Sequence, residues 1–455
     1  MQIIRRFFQT SQLERQKLLV SGSLFFFIIA SYSIAKELQY LIFNATVGVT
    51  YVPLAKLLGI IMLLPFIFVD GFLVDRLKRY QILGLYLLIY SIIGFSFFCL
   101  LGMPEIGLSN PDKGTHRIIG WMFFLYVEGY IIFIVSVAWA FFNSIHKPGH
   151  AEHTYGFIVS CSKIGGICSV IFAYLLFSKV SLDGFSDVHK LRLLLLISSS
   201  LLGFGVMVLY IALRKMPADV FAGYHTSVGE KVKKTGAAEG IKLIFKQPYV
   251  LGIFGIVFCC DIMIEVVNYQ RLLVVMVEKT ANHIKPIGEM AATLYSQTSM
   301  MHITGFILSF FVTNGLMRFL GTKISLFVPP MLVSALVIIY FVTGYDNVLV
   351  ALYVILHALS YSVNAPIRES LYIVTSRDIQ LKSKFAVDAV GIKVSRGAGH
   401  LFNLVMSKIF VGAKTHIVLL ANNVFFMFIV SLWFVVCALV GNRYAKAKRD
   451  SEVIS

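Results

Sequence analysis

The chain has 455 residues, of which 58% are hydrophobic and only 14% charged, and its mean hydropathy is +0.82. A soluble globule carries about 25% charged residues, so the composition excludes that class and points to a membrane protein. The net charge of +17, from 40 Lys and Arg against 23 Asp and Glu, reads as basic loops on the cytoplasmic side, with a basic cavity for an anionic substrate as a second contribution. No basic stretch is interleaved with stacking aromatics, so nucleic acid is not an expected partner.

A helix needs about 20 apolar residues to cross the hydrocarbon core. In chain order the first such spans are 18–39, 50–74, 81–103, 118–143, 156–178 and 191–213. A hydrophilic stretch, 214–248, follows. The remaining spans are 249–270, 291–313, 321–344, 347–366, 386–411 and 416–441. Within the hydrophilic stretch, 236–247 reads as a short interfacial helix whose apolar residues are Ile241, Leu243, Ile244 and Phe245. The expected fold is an all-α membrane protein of about twelve transmembrane helices in two six-helix bundles. Residues 1–213 form the N-terminal bundle, 214–248 a basic cytoplasmic linker, and 249–455 the C-terminal bundle with a basic tail.

Loop charges set the expected orientation. Arg5, Arg6, Arg15 and Lys17 precede the first span, Arg76, Lys78 and Arg79 follow the second, and Arg443, Lys446, Lys448 and Arg449 follow the last. The loop 40–49 has no charge. Both ends and the linker are therefore expected in the cytoplasm of a multi-pass protein of the bacterial inner membrane. Met1–Lys17 is basic and amphipathic and lacks a small-residue cleavage site behind a short apolar run, so no cleaved signal peptide is expected. The six cysteines all lie in apolar spans without metal-ligand spacing and read as packing residues.

The spans carry charges within or at the edge of apolar stretches: Lys36, Glu37, Lys56, Glu128, Lys163, Asp261, Glu265, Asp388, Lys393 and Arg396. Each costs roughly 2.5–3.5 kcal/mol at a bilayer centre and marks a watery cavity or a partner. Lys56 is either an outer-edge anchor or an anion-binding residue. Lys36 and Glu37 are adjacent, so they point to different sides of a helix. Glu128 has no cation within four residues, so it pairs with another helix or holds a proton. It is either a coupling site or a structural pair.

Asp261 and Glu265 share a helix face. Two such carboxylates cannot both ionise cheaply, so one is protonated or a basic residue from the other bundle sits between them. Lys393 and Arg396, set among Gly391, Gly397 and Gly399, form either a phosphate clamp or the counter-charge to Asp261, Glu265 or Asp388. No P-loop or hydrolase motif is present, and neither an enzyme, a cofactor nor a metal site is expected. Transport is the leading reading, and a membrane receptor or lipid-handling protein is the runner-up.

Two resemblances extend this reading. Gly71-Phe72-Leu73-Val74-Asp75-Arg76-Leu77-Lys78-Arg79 resembles the loop signature of the major facilitator superfamily, and Asn314-Gly315 through Arg318 and Lys323 is a weak second copy. The resemblance implies that Asp75 and Arg76 act in gating. The second concerns Pro53-Leu54-Ala55-Lys56, Glu128, Trp139 to Asn143, Glu152, Tyr155, Met263-Ile264-Glu265-Val266, Arg368-Glu369, Tyr372 and the run from Lys382 and Lys384 through Asp388, Lys393 and Arg396. In that order they resemble the ATP/ADP-type nucleotide transporters of plastids and intracellular bacteria.

That family implies exchange of a nucleotide governed by Lys56 and Glu128 in the first half and Glu265 and Arg368 in the second. Arg368 stands where the family has Lys, and Asn268-Tyr269-Gln270 replaces its Trp-Lys run. The expected function is import or exchange of a nucleotide or related phosphorylated anion. Lys56, Glu128, Glu265, Arg368, Lys393 and Arg396 would bind it, while Lys36, Glu37, Lys163, Asp261, Asp388, Asp75 and Arg76 would couple or gate. The alternative is a proton-coupled importer of an amino acid, cofactor or carboxylate. The expected partners are the anionic substrate and the bilayer, with the chain a monomer.

Overall fold

A computed structural model describes residues 11–146, 151–179, 185–221, 237–277, 285–309, 313–376, 379, 383–384, 386–410, 415–450 and 452–454. Helix α1 spans Gln12–Thr46, α2 Val52–Arg76, α3 Arg79–Leu100, α4 Ile118–Ile145, α5 Ala151–Ser178 and α6 Asp187–Lys215. The short α7 covers Ala237–Lys246. Then come α8 at Pro248–Met276, α9 at Ile287–Ile307, α10 at Thr313–Ser325, α11 at Val328–Thr343, α12 at Asp346–Val374, α13 at Ile392–Ile409 and α14 at Thr415–Arg449.

Helix lies in every expected span. Among the described residues, eight helices are long and apolar enough to cross a membrane, or nine if one bent pair is a single span. With backbone polar groups satisfied inside each helix, this is one of the few architectures a hydrocarbon solvent allows. The outward side chains suit that solvent: Ile61, Ile92, Phe204, Val342 and Phe428 are all exposed.

Local chemistry sets the ends. The Ser11 side chain caps α1 by accepting from the Glu14 amide, and Ser186 caps α6 by accepting from the His189 amide. Asp187 sits in the first turn of α6 and Arg214 and Lys215 in its last, matching the helix dipole. Gly48, at φ 120°, turns the chain between α1 and α2, whose start carries Pro53.

Expected span nine is broken. Gly321 takes φ 69°, and Gly315–Ser325 meets Val328–Thr343 at 79°. The second copy of the loop signature, from Asn314 to Lys323, therefore spans a helical turn that is kinked at Gly321. In α7, Ile244 is buried and Phe245 exposed, while the Ile241 side chain lies outside the described residues.

The chain divides into two compact units, Met1–Val228 with Met276–Ser299, and Gly229–Val275 with Met300–Ser455. In the first unit, Phe25, Trp139 and Phe142 pack edge-to-face in the core. Helices α1 and α6 lock through Ser31 and Ser198, each hydroxyl donating to the other's carbonyl at 2.8 and 3.0 Å. Helix α5 comes close to α1 at Gly165, where a Cβ would collide with the Phe26 carbonyl. In the second unit, Trp433, Phe426 and Tyr353 lie in the core.

Candidate functional site

In the first unit, α2 begins at Val52 and places Lys56 about one turn in. Its Nζ donates to Glu128 Oε1 on α4 at 2.5 Å. Gln39 Nε2 on α1 donates to the same oxygen and to the Phe124 carbonyl, both at 2.8 Å. The ammonium also lies 5.2 Å from the Tyr40 ring centroid and 5.5 Å from that of Phe124. Gly59 makes this possible: a Cβ there would sit 3.2 Å from Glu128 Cγ. The Lys56 and Glu128 side chains keep 13% and 23% of their surface.

The next polar contacts along α1 go to α9, whose residues 287–299 belong to the first unit. Fully buried Glu37 accepts from Thr298 Oγ1 at 2.6 Å. Tyr295 OH donates to the Ile34 carbonyl at 2.9 Å. Asp187 Oδ2 accepts from the Gly288 amide at 2.9 Å. Residues 34–40 of α1 thus touch both the Lys56–Glu128 pair and α9. Lys36 is half-buried in the same segment, and Lys163 is half-buried on α5.

In the second unit, Asp261 and Glu265 of α8 do share a face, and Arg396 of α13 lies against both. Its Nε is 3.0 Å from Asp261 Oδ1 and 3.7 Å from Glu265 Oε1. Of the arrangements the sequence left open, the structure has Arg396 as the counter-charge to Asp261 and Glu265, and it comes from the same unit and not from the other bundle. His400 Nε2 stands 3.6 Å from Glu265 Oε2, and Asn403 Nδ2 donates to the Glu265 carbonyl at 3.2 Å. Arg396, His400 and Asn403 follow helical spacing on one face of α13. Gly399 lets that face close: a Cβ would lie 3.0 Å from Glu265 Cβ and 3.2 Å from the Ile262 carbonyl. Arg396 keeps 33% of its side-chain surface.

Arg368 of α12 pairs with Asp388, Nη2 to Oδ1 at 3.0 Å, and Lys384 pairs with Glu369 at 2.6 Å. Lys393 is half-buried one turn before Arg396. Arg76 lies over the Phe72 ring at 3.9 Å. The side chains of Asp75, Glu152 and Tyr155, and all of Lys382, lie outside the described residues.

Three single π turns interrupt the helices near these charges: Ile131–Val135 just after Glu128, Ser360–Asn364 just before Arg368, and Val387–Gly391, which contains Asp388. A π turn inserts one residue and rotates the face that follows. Pro366 explains the second, because it lacks an amide proton and crowds the carbonyl four residues back.

Sequence reasoning missed Gln39, Thr298, His400 and Asn403. The helical spacing of His400 and Asn403 after Arg396, in a glycine-flanked helix, was a usable signal. Gln39 and Thr298 carried none.

No protein-family model and no curated protein matches the sequence. Solved structures do match. The chain is similar to the nucleoside transporter NupG, at 13% identity over 94% of this chain and 99% of that one, TM-score 0.59. A bacterial homologue of the human lysosomal transporter Spinster, in an inward-facing and unoccupied conformation, matches at 15% identity over 94% and 98%, TM-score 0.56. A D-xylose-proton symporter matches at 12% identity over 94% and 95%, TM-score 0.55. This is a multi-pass membrane protein with the all-helical fold of the major-facilitator transporters, and each of its two units holds a partly reachable cation paired with carboxylate.

Proposed function

We propose that the chain is a secondary active transporter that imports or exchanges a nucleotide or related phosphorylated anion by alternating access. The supporting observation is the pairing of Lys56 with Glu128 and of Arg396 with Asp261 and Glu265, each cation still partly reachable. Breaking a buried pair by removing one partner costs about 3–5 kcal/mol. A phosphate that takes over the cation offsets much of that cost, because it supplies charge-assisted hydrogen bonds of its own. The released carboxylate then needs a new partner or a proton, and that need links occupancy to conformation.

Gln39 on α1 also holds Glu128. Helix α1 also binds α9 through Glu37 and Ile34. Substrate at Lys56 therefore changes the load on a segment that holds α9 in place. The basic ends and linker support a cytoplasmic location for both. Similarity to a nucleoside transporter accords with a nucleotide-like cargo, and the motif order around Lys56, Glu128 and Glu265 favours the phosphorylated form.

Uptake of labelled nucleotides by cells expressing the chain tests the reading. Uptake above the empty-vector control that Lys56→Ala abolishes supports it. If no nucleotide enters, and Lys56→Ala and Glu265→Ala alter transport of a non-anionic solute instead, the nucleotide reading fails.

One observation favours proton coupling as a second reading. Asp261 and Glu265 both lie against Arg396, and the second carboxylate also faces His400. A pH-gradient dependence of uptake that disappears in Glu128→Gln or Glu265→Gln supports that reading, whatever the cargo.

A further inference from the structure

A second opening lies away from the ion pairs, within the second unit. It is a groove of about 900 Å³ between the first half of α8 and the second half of α14. Its walls are apolar, with Leu251 and Phe258 on one side and Leu432 and Leu439 on the other. The glycines of α8 shape it. A Cβ on Gly252 would overlap Val440, and one on Gly255 would sit 3.1 Å from Val436. The two helices touch along that line, and the larger side chains beside it stand apart and leave the crevice.

One end of the groove is polar. Arg443 is the first Lys or Arg after the long apolar run of α14, and it lines this end with Glu452. Glu452 holds it by two hydrogen bonds, at 3.0 and 2.6 Å, yet 39% of the arginine side chain stays exposed. Lys246, two residues before α8, and Lys446, one turn beyond Arg443, are both exposed. Arg443 and Glu452 line this mouth, Lys246 and Lys446 lie next to it along the chain, and a further nearby carboxylate, Asp450, pairs with Arg449. The segment carrying Glu452 is itself fixed, because Ile454 pairs with the backbone at 374–376.

We propose that this groove binds a membrane lipid with an anionic phosphodiester headgroup. Its acyl chains lie along Leu251, Phe258 and Leu439, and its phosphate meets Arg443 in competition with Glu452. Basic pockets between transmembrane helices at the membrane surface recognise anionic heads in this way, and an apolar slot of this size suits acyl chains. The cation excess selects against a neutral head.

The test uses the full chain, purified and stripped of lipid, titrated separately with phosphatidylglycerol, phosphatidylcholine and diacylglycerol. Native mass spectrometry counts bound lipid, and a melting curve checks each variant. One phosphatidylglycerol per chain is expected at concentrations where the other two do not bind. Arg443→Gln weakens that binding about tenfold, the size of one lost charge-assisted contact. Leu251→Trp, which fills the slot from an exposed position, weakens it too. Glu452→Gln frees Arg443 and strengthens binding. If the three lipids bind alike, the groove holds bulk lipid only and the proposal fails. It also fails if Glu452→Gln and Arg443→Gln weaken binding equally, since that is the mark of a purely structural ion pair. None of these readouts depends on transport, so they stand apart from the nucleotide reading.

Discussion

Glu128 accepts from two residues of different kind, Lys56 and Gln39, and the difference between them is testable. Lys56 supplies the charge and Gln39 a neutral hydrogen bond. Lys56→Ala removes that charge and leaves a carboxylate that the neutral Gln39 amide does not neutralise. Because both side chains keep some water contact, the expected loss is at the low end of about 3–5 kcal/mol. Adding Glu128→Gln to Lys56→Ala should recover much of it, and thermal unfolding of the four proteins in the cycle measures the coupling. Additive losses would show that the pair does not interact. His146, just past the end of α4, responds to pH by burial. It contacts Ser21 at 3.1 Å and faces Glu14 and Lys17 at the start of α1. Burial pushes its imidazole down to about 4, against a weaker upward pull from Glu14. The fold therefore holds it neutral while the unfolded chain protonates it below its ordinary value of 6.5. Its contribution is complete above that value and falls as pH drops toward 4. His146→Gln should flatten the loss of melting temperature between those limits, and an unchanged profile would assign the acid sensitivity elsewhere.

At the scale of elements, close approach is set by glycine and by small polar residues. Helix α13 lies against α8 because Gly399 has no side chain to meet Glu265 and Ile262. Gly399→Val should cost about 1–3 kcal/mol by overpacking and move Arg396 off its carboxylates. A lower melting temperature with lost transport is expected; unchanged stability would mean the helices are not in contact there. The charged members of the site were legible in the sequence because an ionised group inside an apolar run of helical length is costly and stands out. Asp261 and Glu265 even announced a shared face by their spacing. Their partner Arg396 was one of the candidates the sequence offered, but the choice between it, a proton and a base from the other bundle was not legible, since sequence does not state which helix faces which. Gln39 and Thr298 were invisible for another reason: neutral polar groups cost little in a helix and leave no mark on hydropathy. The helices were easy to place for the same reason the charges were. The kink at Gly321 and the bend between Ser325 and Val328 were missed because a glycine does not declare its φ and the apolar run continues across the break. The π turns were missed as well, although Pro366 was a hint for one of them.

At the scale of the whole molecule, a major-facilitator fold and two charged clusters meet in one account. Each cluster is satisfied within its own unit, Lys56 with Glu128 in the first and Arg396 with Asp261 and Glu265 in the second. Each also leaves its cation partly exposed. In the first unit the same stretch of α1 that supports Glu128 grips α9. The central claim is that these cations exchange their carboxylates for the phosphate of a transported anion. The most direct test is counterflow in proteoliposomes loaded with unlabelled nucleotide and given labelled nucleotide outside. The account predicts transient accumulation of label by the wild-type chain and a loss of at least about tenfold in Lys56→Gln, as expected for one missing charge-assisted contact. Label that never enters, or that enters equally through wild type and Lys56→Gln, would contradict it.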